Sequence, residues 1–419
     1  MSVISIKNID VTFTLSILII FCLPSYIFVT FLQDSLAPGL LLASTLVILI
    51  NNKELFSLRV SLFRIIPFGI VSLFMLLSAL SSYLDNGSKK PIFSFFGLMA
   101  VFLTATVFSG KLDKMSFQKL ESSLLMIILL FLSLGWVAVL TPITWGEYGA
   151  LPKSVFPFSE QSHYALSIGL LTTGYATVGR KSIIFFIIIN MFLLSLVFPN
   201  LTLLVSLMLV LFSSCIRLNG KYFKYIFLAF PLISLISLII ISSKVDYFAS
   251  RIVFEDSTNL TTLVFLQGWY LAFINTLNTN GLGLGFQMLG MPGTHLTPYS
   301  EAIVLITGSI TNLTDGGLLA AKLIAEFGIV GLIICFLYII FTIDFLFKAN
   351  RLWGTFSSVS IKKMESIKKY FVLRGLLFGF FTEVFFRGYG YFSPGLLVVA
   401  AVLISNYNPP NPTRYLSKP

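Results

Sequence analysis

The sequence predicts an all-α, polytopic integral membrane protein with about twelve transmembrane helices. Hydrophobic residues make up 57% of the 419 positions, charged residues make up 11%, and the mean hydropathy is +0.94. Globular proteins contain about 45–50% apolar residues, and a membrane-spanning helix uses about 20 residues. The composition therefore excludes a soluble enzyme, a coiled coil, a collagen and a disordered chain. We treat residues 1–419 as a single transmembrane domain.

Apolar runs recur along almost the whole chain, and each predicts one span. The first run is not followed by a small-residue cleavage site, so we expect a retained helix and not a signal peptide. The second run is short and contains Pro38. The predicted spans are 11–32, 36–50, 65–82, 91–109, 123–141, 163–178, 183–198, 201–216, 225–241, 328–347, 370–386 and 390–405.

Positive charge is distributed unequally between the predicted loops. The formal net charge is +11, but no basic helix or RNA-binding motif accompanies it, so we expect no nucleic-acid partner. With the amino terminus inside, 21 of the 28 Lys and Arg residues fall on the cytoplasmic face. The positive-inside rule then places both termini in the cytoplasm. The 21 residues are Lys7, Lys53, Arg59, Arg64, Lys111, Lys114, Lys119, Arg180, Lys181, Arg217, Lys221, Lys224, Lys348, Arg351, Lys362, Lys363, Lys368, Lys369, Arg374, Arg414 and Lys418.

The same assignment leaves one large segment outside the membrane, residues 242–327, which we expect to be a periplasmic loop region. Within it, residues 260–277 are apolar enough to enter the bilayer. A single extra crossing would move the basic loop at 348–374 to the outside, against the positive-inside rule. We therefore expect an interfacial or re-entrant helix at 260–277, with Trp269 and Tyr270 at the level of the lipid headgroups.

Acidic residues gather toward the outer face, where a shorter segment at 142–162 is also predicted. At its end, Glu160 and His163 are three residues apart at the start of a helix. They can share one face, as a base oriented by a carboxylate would. The alternative is an ordinary helix start, with Ser159 as the N-cap.

Two further stretches place an acid and a base four residues apart, a spacing that allows pairing on a helix. Lys322 and Glu326 follow Asp315 before the tenth span, and Glu383 precedes Arg387 at the outer end of the eleventh. Ionisable residues at the ends of membrane spans suggest a functional role. The planar guanidinium of Arg387 can also form two parallel hydrogen bonds to phosphate oxygens. The alternative for each pair is a structural ion pair.

Other features of the outer face are less specific. Arg251 is the only Arg in the segment 242–327, and it either binds an anion or lies among lipid headgroups. The glycine-rich stretch 281–285 follows no strand, so we assign it no phosphate-binding role and expect a flexible loop. The three cysteines lie in apolar runs and only two histidines are present, so we expect no metal and no cofactor.

The chain thus combines many spans with one dominant outer loop late in the sequence. Short motifs accompany them at 159–163, 281–286, 315–317, 325–328 and 386–390. In this combination the chain resembles the Wzy family of O-antigen polymerases, in architecture over most of its length and in sequence at these motifs. The related O-antigen ligases carry a His nine residues before a Glu-x-Gly. The corresponding position before Glu326 is Gly317 here, which favours a polymerase over a ligase.

The resemblance implies a multi-pass enzyme of the Gram-negative inner membrane that is similar to GT-C glycosyltransferases. Such an enzyme joins undecaprenyl-pyrophosphate-linked repeat units into long O-antigen chains at the periplasmic face and needs no nucleotide sugar. Its expected partners are the lipid-linked oligosaccharide, membrane lipids, and the chain-length regulator and flippase of the same pathway. The alternatives are an O-antigen ligase that transfers glycan to lipid A core, and a lipid-linked oligosaccharide flippase or other transporter.

This chemistry assigns expected roles to the outer residues. A leaving pyrophosphate needs cationic stabilisation, and an acceptor hydroxyl needs a base. The expected pyrophosphate ligands are Arg251, Lys322 and Arg387. The expected catalytic residues are Glu160, His163, Asp315 and Glu326, with Glu383 and Tyr389 in support.

Overall fold

The computed structural model of the protein describes residues 8–56, 62–141, 146–151, 154–252, 254, 257–291, 297–309, 313–354 and 360–405. In these ranges the chain is α-helical, and its β-structure is one isolated bridge between Val155 and Phe158. Seven described helices are long and apolar enough to cross a membrane, which confirms the predicted class of a multi-pass helical protein. Of the predicted cytoplasmic cations, Lys7, Arg59, Arg414 and Lys418 lie outside the described residues.

Helices occupy every position where the sequence predicts a span. The amino-terminal helices are α1 (Val11–Thr30), α2 (Ala37–Ile50), α3 (Asn52–Leu55), α4 (Leu62–Asn86), α5 (Lys90–Lys114) and α6 (Phe117–Leu140). The central helices are α7 (Gln161–Ala176), α8 (Lys181–Val197), α9 (Leu201–Ser214), α10 (Gly220–Ser242), α11 (Asp246–Ile252), α12 (Leu260–Asn278) and α13 (Pro298–Thr307). The last helices are α14 (Leu319–Trp353), α15 (Ile361–Gly379), α16 (Phe381–Phe385) and α17 (Pro394–Ile404). The predicted span 370–386 is thus divided between α15 and α16.

Polar residues begin many of these helices, because the first backbone N–H groups of a helix have no partner within it. In each case the side-chain oxygen accepts a hydrogen bond from an N–H of the first turn. The N-caps of this kind include Asp10, Ser116, Asn200, Asn259 and Ser393. Between the caps most of the helices are apolar, and their buried faces form one large core, with two smaller clusters around α12.

Helix ends that the sequence places in the cytoplasm lie against one another. Lys111 at the end of α5 forms an ion pair of 2.9 Å with Asp10, just before α1. Lys114 pairs with Glu54 of α3 at 2.6 Å. These contacts require α1, α3 and α5 to have their predicted cytoplasmic ends at the same side of the molecule.

The helix α12 and the chain that follows it form a hairpin along the first turns of α14. At one end of the hairpin, Gly317 lies against Val264 near the start of α12, and Gly290 lies against Thr314. At the other end, the N–H of Ile329 donates to the carbonyl of Gly281 at 2.9 Å. The hairpin therefore returns the chain to the end from which α12 begins, although α12 is long and apolar enough to cross a membrane.

The return arm of the hairpin, residues 281–290, is ordered by backbone contacts with α14. Leu284 donates to the carbonyl of Ala325 at 3.0 Å, and Gly285 donates to that of Glu326 at 2.8 Å. The helix α14 is interrupted at Gly328, where φ is 55° and ψ is −128°. A side chain at Gly328 would collide with the carbonyl of Gly281, so the glycine permits this close approach. The flexible loop expected at 281–285 is thus a docked segment.

Candidate functional site

A cavity of about 550 Å³ lies between α7, α9, α10, α11 and α12. The first residues of three helices line it, and these helix starts are all predicted to face the periplasm. They are Gln161 and Ser162 of α7, Leu201 and Thr202 of α9, and Thr261 and Thr262 of α12. The amino-terminal end of a helix carries a partial positive charge and unsatisfied N–H groups, both of which favour anions. The cavity is therefore an anion-favouring environment before any charged side chain is considered.

Two guanidinium groups, those of Arg251 and Arg387, add full positive charge to this cavity. The Arg251 guanidinium lies 3.6 Å from the ring centroid of Tyr247 and 3.4 Å from the hydroxyl of Thr261. Burial lowers the pKa of Arg251 from its usual value, and the charge of Arg387 lowers it further, against the opposing effect of Tyr247. An anion bound between the two guanidinium groups would relieve this repulsion.

Glu160 is the acidic side chain of the cavity lining. Its Oε2 accepts hydrogen bonds from Arg387 Nη2 at 3.0 Å and from the Ser162 hydroxyl at 2.7 Å. The Glu160 side chain is 51% exposed, whereas that of Arg387 is 18% exposed. Burial raises the pKa of Glu160, but His163, Arg387 and Ser162 outweigh it and hold the pKa at about 2. The carboxylate is therefore ionised and paired.

Glu160 and His163 do not form the hydrogen-bonded pair that the sequence predicts, although His163 lies close enough to lower the pKa of Glu160. Glu160 lies at the N-cap position, before the first helical residue of α7, and its carboxylate turns toward Arg387. The imidazole Nδ1 of His163 lies 2.8 Å from the Ser159 hydroxyl, and its ring centroid lies 4.3 Å from that of Tyr389. Ser159, the alternative N-cap, is therefore one position too early and bonds to His163 instead.

Lys322, Glu326 and Asp315 form a second cluster, and none of them lines the cavity. The predicted pairing of Lys322 with Glu326 is confirmed at 3.9 Å, and Asp315 lies 3.8 Å from the same ammonium group. Lys322 also donates to the carbonyl of Thr314 at 2.6 Å and to Gln287 Oε1 at 3.2 Å. Because Lys322 is only 1% exposed and does not line the cavity, it is not available to a ligand there.

Glu326 is fully buried and is held by three hydrogen-bond donors. Its carboxylate accepts from the N–H of Gln287 at 2.9 Å, from the N–H of Leu289 at 3.3 Å and from the hydroxyl of Tyr391 at 2.7 Å. These contacts fix the return arm of the hairpin against α14. Sequence analysis missed Gln287 and Tyr391, although Tyr391 directly follows the motif 386–390.

The predicted pairing of Glu383 with Arg387 is also wrong. The helix α16 ends at Phe385, so Arg387 is not on the same helix and binds Glu160 instead. Glu383 is 3% exposed, and its Oε1 has no hydrogen-bond partner among the described residues. Spacing in the sequence could not reveal this helix end, because Phe385 and Phe386 continue the apolar pattern.

The segment 387–391 connects the cavity with the second cluster, at its buried member Glu326. Its first residue, Arg387, binds Glu160, and its last, Tyr391, binds Glu326. Between them, the N–H of Gly388 donates to the carbonyl of Gly317 at 3.0 Å. The position of the Arg387 guanidinium is thus determined by contacts on both sides.

One wall of the cavity is apolar and open to the outer surface of the helix bundle. Leu235 and Ile239 of α10 line the cavity, yet they are 54% and 52% exposed. The cavity is within the size range of small-molecule sites, about 300–1,000 Å³. Its cationic end and its open apolar wall together suit an anion that carries a long apolar chain.

No family model, no curated protein and no solved structure matches the chain. The candidate functional site is therefore the cavity described above. The residues that the structure brings together there are Glu160, Arg251 and Arg387.

Proposed function

We propose that the protein is a lipid-linked oligosaccharide polymerase, a glycosyltransferase that acts at the periplasmic face of the bacterial inner membrane. Its substrates would be O-antigen repeat units carried on undecaprenyl pyrophosphate, as the Wzy resemblance implies. The observation that supports this proposal most is the cavity, where two guanidinium groups and three helix amino termini lie beside an open apolar wall. No nucleotide-sugar or metal requirement is part of the proposal.

The cavity matches both ends of the proposed donor. A pyrophosphate offers several anionic oxygens, and Arg387 and Arg251 supply two guanidinium forks that can bind them bidentately. The isoprenoid chain would leave the cavity past Leu235 and Ile239 into the lipid that surrounds α10. The described large side chains on α10 are mostly exposed and apolar, as expected for contact with lipid tails.

The proposed reaction transfers the growing glycan from its carrier to the non-reducing end of a new lipid-linked unit. A bond forms between an acceptor hydroxyl oxygen and the anomeric carbon of the donor, and the bond from that carbon to the pyrophosphate oxygen breaks. The electron pair leaves with the pyrophosphate, where Arg387 and Arg251 stabilise the developing charge. The proton of the acceptor hydroxyl passes to a base.

Glu160 is the strongest of the four expected bases. It lines the cavity, is half exposed and lies beside the proposed pyrophosphate site. Glu326 is buried and already accepts three hydrogen bonds, and Asp315 lies with Lys322 in the second cluster. His163 is positioned against Ser159 and Tyr389, so it supports the start of α7.

A lipopolysaccharide gel from a strain lacking this gene alone tests the function. We expect the ladder to collapse to core plus one repeat unit, because flipping and ligation continue without polymerisation. Complementation with Arg387→Ala should fail to restore the ladder. Lys244→Ala is the matched control, because Lys244 is an exposed cation at the same predicted face that does not line the cavity.

The other outcomes of this experiment favour other functions. If no repeat unit reaches the core in the deletion strain, the ligase or the flippase alternative replaces the polymerase. If Arg387→Ala restores a full ladder, the assignment of Arg387 to the pyrophosphate is wrong. The chain-length regulator and the flippase remain expected partners of the polymerase.

A further inference from the structure

The carboxylate of Glu160 lies where the donor's pyrophosphate is expected to bind. Its Oε2 lies 3.0 Å from Arg387 Nη2, in the cavity that also contains Arg251. A carboxylate and a phosphate make the same kind of charge-assisted hydrogen bond to a guanidinium. The pyrophosphate therefore competes with Glu160 for Arg387.

We propose that Glu160 is a donor-gated carboxylate. In the resting protein it is paired with Arg387, and the donor's pyrophosphate displaces it from this pair. It then serves as the base for the acceptor hydroxyl. This inference rests on the proposed function. It adds an order of events, because the base becomes available only after the donor has bound.

The contacts indicate that Glu160, and not Arg387, is the partner that moves. The backbone of Gly388, next to Arg387, is bonded to Gly317, and the Arg387 side chain is only 18% exposed. The Glu160 side chain is 51% exposed, borders an open cavity and has the Ser162 hydroxyl as its other hydrogen-bond partner. Solvent screens the exposed carboxylate on its side of the ion pair, and a pyrophosphate offers Arg387 more negative charge and more acceptor oxygens, so it can displace the carboxylate.

Displacement also changes the chemistry of the carboxylate. While it is paired, its pKa is about 2, so it is a poor proton acceptor. Loss of the Arg387 contact and arrival of an anionic pyrophosphate both raise the pKa of a nearby carboxyl. Glu160 then accepts the acceptor's proton as the new glycosidic bond forms and the electron pair of the old bond leaves with the pyrophosphate.

The test is the affinity of undecaprenyl pyrophosphate for the full-length protein in lipid nanodiscs. Glu160→Gln removes the competing charge and should bind the probe about fivefold more tightly than the unaltered protein. This factor corresponds to the upper end of the energies measured for exposed ion pairs. Glu160→Asp keeps the charge but shortens the side chain by one methylene, so it should also bind more tightly. Glu147→Gln is the control, because Glu147 is an exposed carboxylate of the same predicted periplasmic segment, 142–162, that does not line the cavity.

Two further measurements separate gating from a general charge effect. In an Arg387→Ala background, Glu160→Gln should no longer tighten binding, because the competed contact is gone. In the lipopolysaccharide assay, Glu160→Gln should give core plus one repeat unit in spite of its tighter binding. This combination of tighter binding with lost extension is not expected of a residue that only maintains structure.

Each contrary result has a definite meaning. If Glu160→Gln binds the probe no more tightly while Arg387→Ala still weakens binding, gating is wrong and the proposed function stands. If Glu160→Asp behaves like the unaltered protein, the effect is one of net charge and gating is again wrong. A full ladder with Glu160→Gln excludes its role as base. If the unaltered protein and Glu160→Gln both fail to bind the probe, the proposed function fails together with this inference.

Discussion

Lys322 shows how a buried charge is maintained in this protein. Its ammonium group is surrounded by the carbonyl of Thr314, the amide oxygen of Gln287 and the carboxylates of Glu326 and Asp315. Burying an unpaired charge is costly, and a buried charge is retained only with good partners. We therefore interpret this cluster as the support for the hairpin and for the segment 387–391, and not as the anion site.

Removal of one member of the Lys322–Glu326 pair should destabilise the protein strongly. Lys322→Met leaves Glu326 without a counter-charge in the interior, and we expect a loss of about 3–5 kcal/mol in the free energy of unfolding. The double variant Lys322→Met, Glu326→Gln should recover part of this loss, because no charge is then buried unpaired. Denaturant-induced unfolding in detergent measures both changes.

The exposed Lys244 provides the control for this experiment. Lys244→Met should change the free energy of unfolding by no more than about 0.5 kcal/mol, because substitutions at exposed positions have small effects. Equal stability of Lys322→Met and the unaltered protein would contradict the structural role of the cluster.

At the scale of the elements, the break in α14 at Gly328 determines where the hairpin docks. The interruption frees backbone groups of α14, and Gly281 bonds to Ile329 directly beyond it. The return arm then bonds to Ala325 and Glu326 within one turn before it. One glycine with an unusual backbone conformation thus joins α12, the return arm and α14.

Gly328→Ala should disrupt this junction. The added methyl group would overlap the carbonyl of Gly281, and the backbone conformation at φ 55° is unfavourable for a residue with a side chain. We expect a loss of more than about 2 kcal/mol in the free energy of unfolding, because strain and steric overlap act together. Susceptibility of the hairpin to limited proteolysis should increase as well.

Gly69→Ala is the matched control for this substitution. Gly69 lies inside α4, and a methyl group there would meet no atom within 4 Å. Alanine is the better helix former, so this variant should be neutral or more stable by about 0.5–1 kcal/mol. If Gly69→Ala and Gly328→Ala changed the free energy of unfolding equally, the close packing at Gly328 would not explain the loss.

At the scale of the whole molecule, contacts between distant helices agree with the predicted topology. Lys111 and Asp10 meet at the predicted cytoplasmic side, and Arg387 and Glu160 meet at the predicted periplasmic side. The hairpin begins and ends near Gly317, as a re-entrant segment would. From these contacts we predict that the start of α12 and the end of its return arm are both accessible from the periplasm.

Cysteine labelling tests this topology. In a background in which Cys22, Cys215 and Cys335 are replaced by Ser, Thr258→Cys before α12 and Glu301→Cys in α13 should both react with a membrane-impermeant maleimide in spheroplasts. Both positions are exposed. If α12 crossed the membrane completely, only one of the two positions would react.

Lys53→Cys, in α3 at the predicted cytoplasmic side, is the control for membrane integrity. It is exposed in the structure and should react only after the spheroplasts are lysed. Reaction of Lys53→Cys in intact spheroplasts, with protection of Glu301→Cys, would reverse the predicted orientation.

The sequence by itself determined the class of the protein and the positions of the helices, and it predicts the membrane face on which the polar residues gather. Hydropathy and charge are sums over neighbouring residues, so they can be read along the chain without knowledge of the fold. The sequence also predicts that Glu160, Arg251 and Arg387 lie at the same face, and the structure brings the three residues together in one cavity.

Only the tertiary structure decided which charged residues of different helices and loops meet. Spacing predicted that Glu160 pairs with His163 and Glu383 with Arg387, but Glu160 pairs with Arg387 across 227 positions of the chain. The tertiary structure also separates Lys322 from the cavity, because Lys322 is buried beside Gln287. The physical reason is that an ion pair depends on the distance between two groups in space. Because α16 ends at Phe385, two residues before Arg387, Arg387 leaves the helix face of Glu383.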